Sequence, residues 1–231
     1  MAQSKVAVVA GVGPGNGTAL AARFSQAGYA IAALARQPST LATLEQNVPS
    51  ACGYVCDVGD PSSVAEAFQR IRTEMGNVDT LLFNAGSGVF KDFDATSAED
   101  FERSWRVNAY GSFLCAKEVV PPMRDAGSGN IVFIGATASR RGAAKTSAFA
   151  AAKAAQRSLA ESLARSFWPH GIHVALIVVD GKIAVPGKTD QASLAELLDP
   201  AAIAETALHL CRQDKSAWSF EVEARPSVER W

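Results

Sequence analysis

The sequence feature that most constrains the fold of this chain is the alternation of short apolar runs with longer segments of helical period. The runs are apolar at consecutive positions, which is typical of strands that helices cover on both faces. This alternation predicts an α/β fold of Rossmann type, a doubly wound parallel sheet flanked by helices. The predicted strands span residues 5–10, 29–35, 53–56, 78–84, 129–135 and 172–179, with a weaker one at 218–222, and the predicted helices span 15–27, 61–76, 98–125, 147–168 and 200–213.

Composition and charge narrow the class of protein. Of the 231 residues, 48% are hydrophobic and 19% are charged, which excludes a disordered or fibrous chain. No linker divides the chain, so we predict a single domain over residues 1–231. The net charge of -1 gives no general attraction to nucleic acid or to a membrane.

The expected location of the protein and its expected lack of a metal site follow from three patterns that we do not find in the sequence. Its apolar runs are shorter than the roughly 20 residues that span a bilayer, and the first strand begins too early for a leader peptide. We therefore expect a cytoplasmic protein. The four cysteines are scattered and match no metal-binding pattern, which predicts reduced thiols and no metal site.

A glycine-rich turn follows the first predicted strand and opens the first predicted helix. Glycines permit a tight turn and let the main chain approach a pyrophosphate, whose charge is favoured at a helix start. The turn lacks the Gly-Lys-Ser/Thr ending of a nucleotide triphosphatase loop, which disfavours an ATPase. We predict that it binds a dinucleotide through Gly11, Gly13, Gly15, Asn16 and Gly17.

The end of the second predicted strand bears on which dinucleotide is bound. An NAD-preferring site would place a carboxylate here, against the ribose 2′-hydroxyl. This chain has Ala33, Leu34 and Ala35, followed by Arg36. Because an arginine offers a planar fork of donors to a phosphate, Arg36 favours NADP(H) over NAD(H).

Three further motifs, taken together with the glycine turn, indicate a known protein family. Asp57 and Val58 follow the third predicted strand, an Asn-Ala-Gly sequence follows the fourth, and Asn108 lies within a long predicted helix. With the glycine spacing, these motifs resemble the short-chain dehydrogenase/reductase family over about residues 5–183. The resemblance implies that Asp57 and Val58 hold the adenine. It also implies that Asn84, Ala85 and Gly86 line the cofactor ribose and that Gly181 and Ile183 flank the nicotinamide, although Asp180 stands where the family usually has proline.

The chain departs from the family at the catalytic residues. The family pairs a tyrosine acid with a lysine four residues later on one helix face, a serine hydrogen-bonds the substrate oxygen, and an asparagine supports a proton relay. Here Phe149 occupies the tyrosine position before Lys153, and Ala136 occupies the serine position. Thr137 is next to it and would reach the substrate oxygen after a shift of one residue. The resemblance therefore implies catalytic roles for Asn108, Thr137 and Lys153, with the tyrosine lost. It also implies that Lys153 binds the cofactor at the nicotinamide ribose.

The predicted function is an NADP(H)-dependent oxidoreductase with a non-standard active site that reduces a carbonyl or an activated alkene of a small molecule. Several polar groups are candidates for the proton donor that replaces the tyrosine, and the sequence does not choose among them. The alternative is a catalytically silent dinucleotide-binding sensor or scaffold. By resemblance, we expect a homodimer or homotetramer. The acid candidates are Thr137, Ser139, Ser147, Tyr110 and Lys153 acting through water.

We also make predictions for two further segments. Residues 181–198 are the least patterned long stretch and form a candidate lid over the ligand. The aromatic residue Trp231 ends the chain, and we hypothesise that it anchors the tail on a neighbouring subunit or over the ligand site.

Overall fold

A central parallel sheet organises the structure, a computed structural model that describes residues 4–185, 187 and 196–228. Within this part of the chain, seven strands pair in the order β3-β2-β1-β4-β5-β6-β7, and every neighbouring pair is parallel. The predicted doubly wound parallel sheet is confirmed. The strands are β1 (Val6–Ala10), β2 (Ala30–Ala35), β3 (Ala51–Val55), β4 (Val78–Phe83), β5 (Gly129–Ala136), β6 (Ile172–Val179) and β7 (Glu221–Ala224).

Helices cover both faces of the sheet. One apolar cluster unites α1, α2 and α7 with one face, and a second unites α3, α5 and α6 with the other. The helices of the described residues are α1 (Asn16–Gln26), α2 (Pro38–Asn47), α3 (Pro61–Glu74), α4 (Ala98–Trp105), α5 (Gly111–Ala126), α6 (Ser147–Phe167) and α7 (Pro200–Cys211).

Strand β1 shows why the strands read as unbroken apolar runs. Val6 and Val8 point into the cluster with α3, α5 and α6, whereas Ala7 and Val9 point into the opposite cluster. All of these side chains are buried. Since neighbouring side chains of a strand alternate between faces, a strand covered on both sides favours apolar residues at consecutive positions.

Two elements differ from the predictions. Helix α2 was not predicted, because its ten residues bury only Leu41 and Leu44. The single helix predicted at 98–125 is instead α4 and α5, joined by a π-helical turn at Arg106–Tyr110. Asn108 lies in this turn, which a sequence period of 3.6 residues does not reveal.

The remaining predictions concern the last strand, membrane-spanning helices, the candidate lid and Trp231. Strand β7 begins three residues later than predicted, at Glu221. Of the helices described, none combines the length and the apolar character that crossing a membrane requires. Much of the candidate lid, at positions 186 and 188–195, lies outside the described residues, as does Trp231.

Candidate functional site

A cleft of about 510 Å³ opens at the carboxyl ends of the first four strands. The chain order reverses between β1 and β4, so the loops that follow these strands diverge and leave a crevice. Residues from four separate loops meet here. The predicted cofactor residues that line the cleft are Gly11, Gly13, Gly15, Asn16, Gly17, Arg36, Asp57, Val58, Asn84, Ala85 and Gly86.

At Gly11 and Gly17 the glycine turn packs too closely against its neighbours for a larger residue. Gly11 has a φ of 92°, and a Cβ atom there would lie 2.4 Å from the Cα of Ala85. A Cβ at Gly17 would lie 2.6 Å from the carbonyl oxygen of Gly11. Gly15 precedes α1 and has no side chain to cover the helix start. The positive end of the α1 dipole therefore faces the cleft, as binding of a phosphate requires.

Asn84 ties the loop after β4 to the glycine turn. Its Nδ2 donates to the carbonyl oxygen of Gly11 at 2.7 Å, and its Oδ1 accepts from Nδ2 of Asn16 at 2.7 Å. Asn16 Oδ1 is buried, with no hydrogen-bond partner among the described residues. The cleft thus holds a buried acceptor that a hydroxyl group of a bound ligand would satisfy, which fits a nucleotide.

Lys153 is buried on α6 and does not line the cleft. Its Nζ donates to the carbonyl oxygen of Ile134 at 2.9 Å and to Oε1 of Gln156 at 3.0 Å. Gln156 Nε2 then donates to Ser112 Oγ, which donates to the carbonyl oxygen of Asn108. Burial lowers the pKa of Lys153 to about 7, so the amine loses its charge close to neutral pH.

Asn108 is fully buried in the π-helical turn. Its Nδ2 donates to the carbonyl oxygens of Ser104 at 2.8 Å and Ser87 at 3.1 Å. Its Oδ1 has no hydrogen-bond partner within the described residues, and a Cβ added to Gly86 would lie 3.5 Å from it. Asn108 therefore joins α4 to the loop after β4 and leaves one acceptor unused.

A second cavity, of about 980 Å³, lies at the carboxyl ends of β5 and β6. Phe149 faces it, packs against Phe90 with ring centroids 5.3 Å apart, and has the Nζ of Lys153 at 5.9 Å from its ring centroid. Ala136 and Thr137 both line this cavity, so either position of the sequence register reaches it. The other lining residues include Ala138, Val179, Asp180, Gly181, Lys182, Leu197 and Val228.

The two residues predicted to flank the nicotinamide lie in different places. Gly181 lines the second cavity, whereas Ile183 lines neither of the two spaces and packs against the core around α7. Val185 lines the first cleft instead. Sequence reasoning missed Val185, and it carries no motif that would have indicated it.

The buried carboxylate of Asp180 was missed as a functional group. It accepts a hydrogen bond from Thr137 Oγ1 and an ion-pair hydrogen bond from Arg225, which follows β7. The sequence signal was present at Asp180, since an acidic residue stands there in place of the proline usual in the family. No sequence motif indicated a role for Arg225.

The lowered pKa of Lys153 predicts a pH-dependent stability. Because burial moves this pKa from 10.5 to about 7, the unfolded chain binds one more proton than the folded chain between these values. We expect the free energy of unfolding to rise with pH from 7 to 8.5, with a slope of up to about 1.4 kcal/mol per pH unit from this group. Urea unfolding across this range should show the slope, and Lys153→Met should remove it.

The control is Lys117→Met, which removes an exposed lysine of α5 and should leave the slope unchanged. Measurements stop near pH 8.5, where free thiols begin to ionise. Burial raises the pKa of the Cys115 and Cys56 thiols, and their contribution has the opposite sign above that pH. An equal slope in Lys153→Met and the unaltered protein would show that Lys153 stays charged.

Comparisons with known proteins agree with this architecture. The family model for short chain dehydrogenase matches residues 5–191. A short-chain dehydrogenase/reductase of Armillaria gallica is 35% identical over 182 residues, which cover 75% of this chain and 69% of that protein. An uncharacterised oxidoreductase of Staphylococcus saprophyticus is 28% identical over 231 residues, which cover 97% of this chain and 98% of that protein.

A solved structure extends the likeness to three dimensions. The short-chain dehydrogenase of Rhodopseudomonas palustris superimposes with a TM-score of 0.84 at 29% identity and covers 96% of this chain and 98% of its own. The sequence match and the shared sheet lead to one conclusion: this chain belongs to the short-chain dehydrogenase family.

Proposed function

We propose that this chain is an NADP(H)-dependent oxidoreductase that exchanges hydride with a small molecule. The dinucleotide binds in the first cleft, and a carbonyl compound or an activated alkene binds in the second cavity. The observation that carries the proposal is that eleven of the predicted cofactor residues, which lie far apart in the sequence, line one cleft. Family membership supports the same class of reaction.

The pyrophosphate, the adenine and a hydroxyl of the dinucleotide would each meet a matching group in the cleft. The turn at residues 11–17 and the start of α1 would hold the pyrophosphate. Asp57 and Val58 would contact the adenine, and Asn16 Oδ1 would accept from a hydroxyl. The bound dinucleotide supplies the hydride. The protein orients it and excludes water from the site.

Arg36 supports NADP(H) as the dinucleotide. It follows the last residue of β2, is exposed, and lines the cleft. The three residues before it are apolar, so that strand end carries no carboxylate to repel a 2′-phosphate. An exposed guanidinium is also free to turn toward a phosphate and to bind it with two donors.

Phe149 supports a substrate that needs no tyrosine acid. A phenyl ring faces the second cavity and has no proton to give. In the reduction of an activated alkene, water can protonate carbon after hydride transfer, so no acid is needed at that step. Reduction of a ketone would require Thr137 and water instead.

The same observation favours a second candidate function. A protein that kept the dinucleotide cleft but has a phenyl ring in place of the acid would bind the cofactor without turnover. It would then act as a sensor or a scaffold. Both candidate functions include dinucleotide binding in the first cleft. They differ only in whether a reaction takes place at the second cavity.

A titration tests the cofactor assignment. We expect the fluorescence of NADPH to change saturably on binding, and we expect Arg36→Ala to weaken NADPH binding by about 10- to 100-fold, the range for a charged hydrogen bond. NADH lacks the 2′-phosphate, so its affinity should change little in this variant. Arg165→Ala, which removes the same charge from an exposed position of α6, is the matched control.

Hydride transfer is tested on the same samples. Oxidation of bound NADPH on addition of a ketone or an enone, followed in a single turnover, would support the enzyme. Saturable binding without oxidation by any member of the panel would favour the sensor or scaffold. The proposal as a whole fails if no nicotinamide dinucleotide binds at millimolar concentration.

A further inference from the structure

The second cavity is bordered by a phenyl ring that the protein leaves largely uncovered. Phe90, in the loop between β4 and α4, is 64% exposed and lines the cavity together with Phe149. Val228, which is 57% exposed, lines the same space. Large apolar side chains that stay exposed together beside a cavity indicate a surface that a ligand covers.

The surroundings of Phe90 hold its ring in place. The ring packs against Phe149, with centroids 5.3 Å apart and ring planes tilted by 52°. It also lies close over Gly88, where an added Cβ would be 2.5 Å from the ring atom Cε2. Asp92, two residues further on, forms an ion pair with Lys145 at 3.6 Å, which joins this loop to the segment before α6. The ring is therefore positioned before a ligand binds.

The charged groups around the cavity do not favour an ionic ligand. The carboxylate of Asp180 is paired with Arg225. Lys182 and Glu196 both line the cavity, and their formal charges are opposite. Most of the other lining residues are apolar, so the cavity suits a neutral molecule with an apolar body. Thr137 and Lys182 can form hydrogen bonds with one polar substituent of that molecule.

The two phenyl rings distinguish an aromatic ligand from a saturated one. Aromatic rings attract one another in tilted and offset geometries, with centroids about 4.5 to 7 Å apart, and this attraction adds to the gain from burying their surface. Phe90 and Phe149 already form one such contact. The exposed surface of Phe90 is open to a third ring at the cavity. A saturated ring in the same place would gain only from burial.

We propose that the second cavity binds a neutral aromatic compound, and that Phe90, held against Phe149, selects for the aromatic ring. This inference rests on the proposed function and names the class of substrate of the same site. The ring is the part of the substrate that does not react, so Phe90 determines specificity and is not a catalytic residue. The phenyl ring that replaces the family's tyrosine then has a role of its own, which is to position Phe90.

Ligands that differ only in the saturation of one ring test the inference. The probes are acetophenone with cyclohexyl methyl ketone, and benzyl alcohol with cyclohexylmethanol, so that each pair shares its polar group. Affinities are measured by ligand-observed NMR without dinucleotide, and then with the dinucleotide form that cannot react, oxidised for the ketones and reduced for the alcohols. Burial alone would favour the saturated ring, which is the more apolar one. We expect the aromatic member to bind about threefold to tenfold more tightly.

Variants of the loop show whether Phe90 makes the selection. Phe90→Leu keeps an apolar side chain but removes the ring, so the two members of each pair should bind about equally. Phe90→Tyr keeps the ring and should keep the preference. Phe93→Leu is the matched control, because Phe93 lies in the same connection between β4 and α4, is 76% exposed, and is not among the described residues that line the cavity. Thermal unfolding of each variant shows whether it is folded.

The outcomes are distinct from those of the proposed function. Saturated ligands that bind the unaltered protein as tightly as their aromatic partners would overturn the inference, as would the failure of every probe to bind. A preference that survives in folded Phe90→Leu, or that is lost in folded Phe90→Tyr or Phe93→Leu, would also overturn it. Because NADPH binding is titrated separately, its absence would count against the proposed function and leave the ratio of aromatic to saturated affinity readable.

Discussion

Phe149→Tyr is expected to accelerate the oxidation of bound NADPH by a ketone by about 10²- to 10⁴-fold, the range typical of general acid catalysis. Phe149 lies one helical turn before Lys153 on α6, and both residues lie on one face of the helix. The phenyl ring already borders the second cavity, with the Lys153 amine 5.9 Å from its centroid. A hydroxyl added to this ring would place a proton donor in this cavity, beside the residues at the end of β5.

The measurement is a single-turnover record of NADPH absorbance with a ketone panel, run beside the unaltered protein. Phe167→Tyr makes the same chemical change at a partly buried ring near the end of α6 and should leave the rate unchanged. An increase limited to Phe149→Tyr would identify proton donation as the missing step. An unchanged rate, with NADPH bound, would show that the cavity does not hold a ketone for reaction.

The fold could be predicted because its signals are local. The central strands are mostly apolar runs of five to eight residues, and two helix starts carry Pro61 and Pro200 at their first turns. Helix α2 escaped prediction because its buried stripe is two leucines among polar residues. The π-helical turn escaped because its five residues are too few to be recognised as a break in the helical period of the sequence.

The first cleft could be predicted for a related reason. In a parallel sheet the residues that follow each strand meet at one edge, so motifs at strand ends come together without knowledge of side-chain contacts. Arg36, Asp57 and Asn84 are such residues, and all line the cleft. That Asn84 holds the glycine turn closed, through Gly11 and Asn16, depends on side-chain geometry that spacing does not give.

The second cavity could be predicted only in part. Phe149 and Thr137 were identified through the family resemblance, which places Phe149 at the tyrosine position and Thr137 next to the serine position. The partner of Asp180 is 45 residues away, beyond β7, and no motif connects the two positions. The hydrogen bond from Thr137 and the ion pair with Arg225, which meet at Asp180, therefore needed the structure.

Gly11→Ala is expected to destabilise the protein by about 2 to 4 kcal/mol, from a backbone strained at positive φ and from overpacking. At the Gly11 φ of 92° a side chain is disfavoured, and the added Cβ would lie 2.4 Å from the Cα and 2.5 Å from the amide nitrogen of Ala85. Backbone atoms cannot rotate away as a flexible side chain would. The loop after β4 would have to shift, and Asn84 would lose its hold on the turn.

Gly13→Ala provides the matched control, because a Cβ at Gly13 meets no atom within 4 Å among the described residues. Urea unfolding should give this variant nearly the free energy of the unaltered protein, while Gly11→Ala unfolds at lower urea. NADPH affinity should also fall in Gly11→Ala, since the turn and the loop after β4 shape the cleft together. Equal stability of the two variants would mean that the contact between Gly11 and Ala85 does not set the path of the turn, and the basis for placing a pyrophosphate there would fail with it.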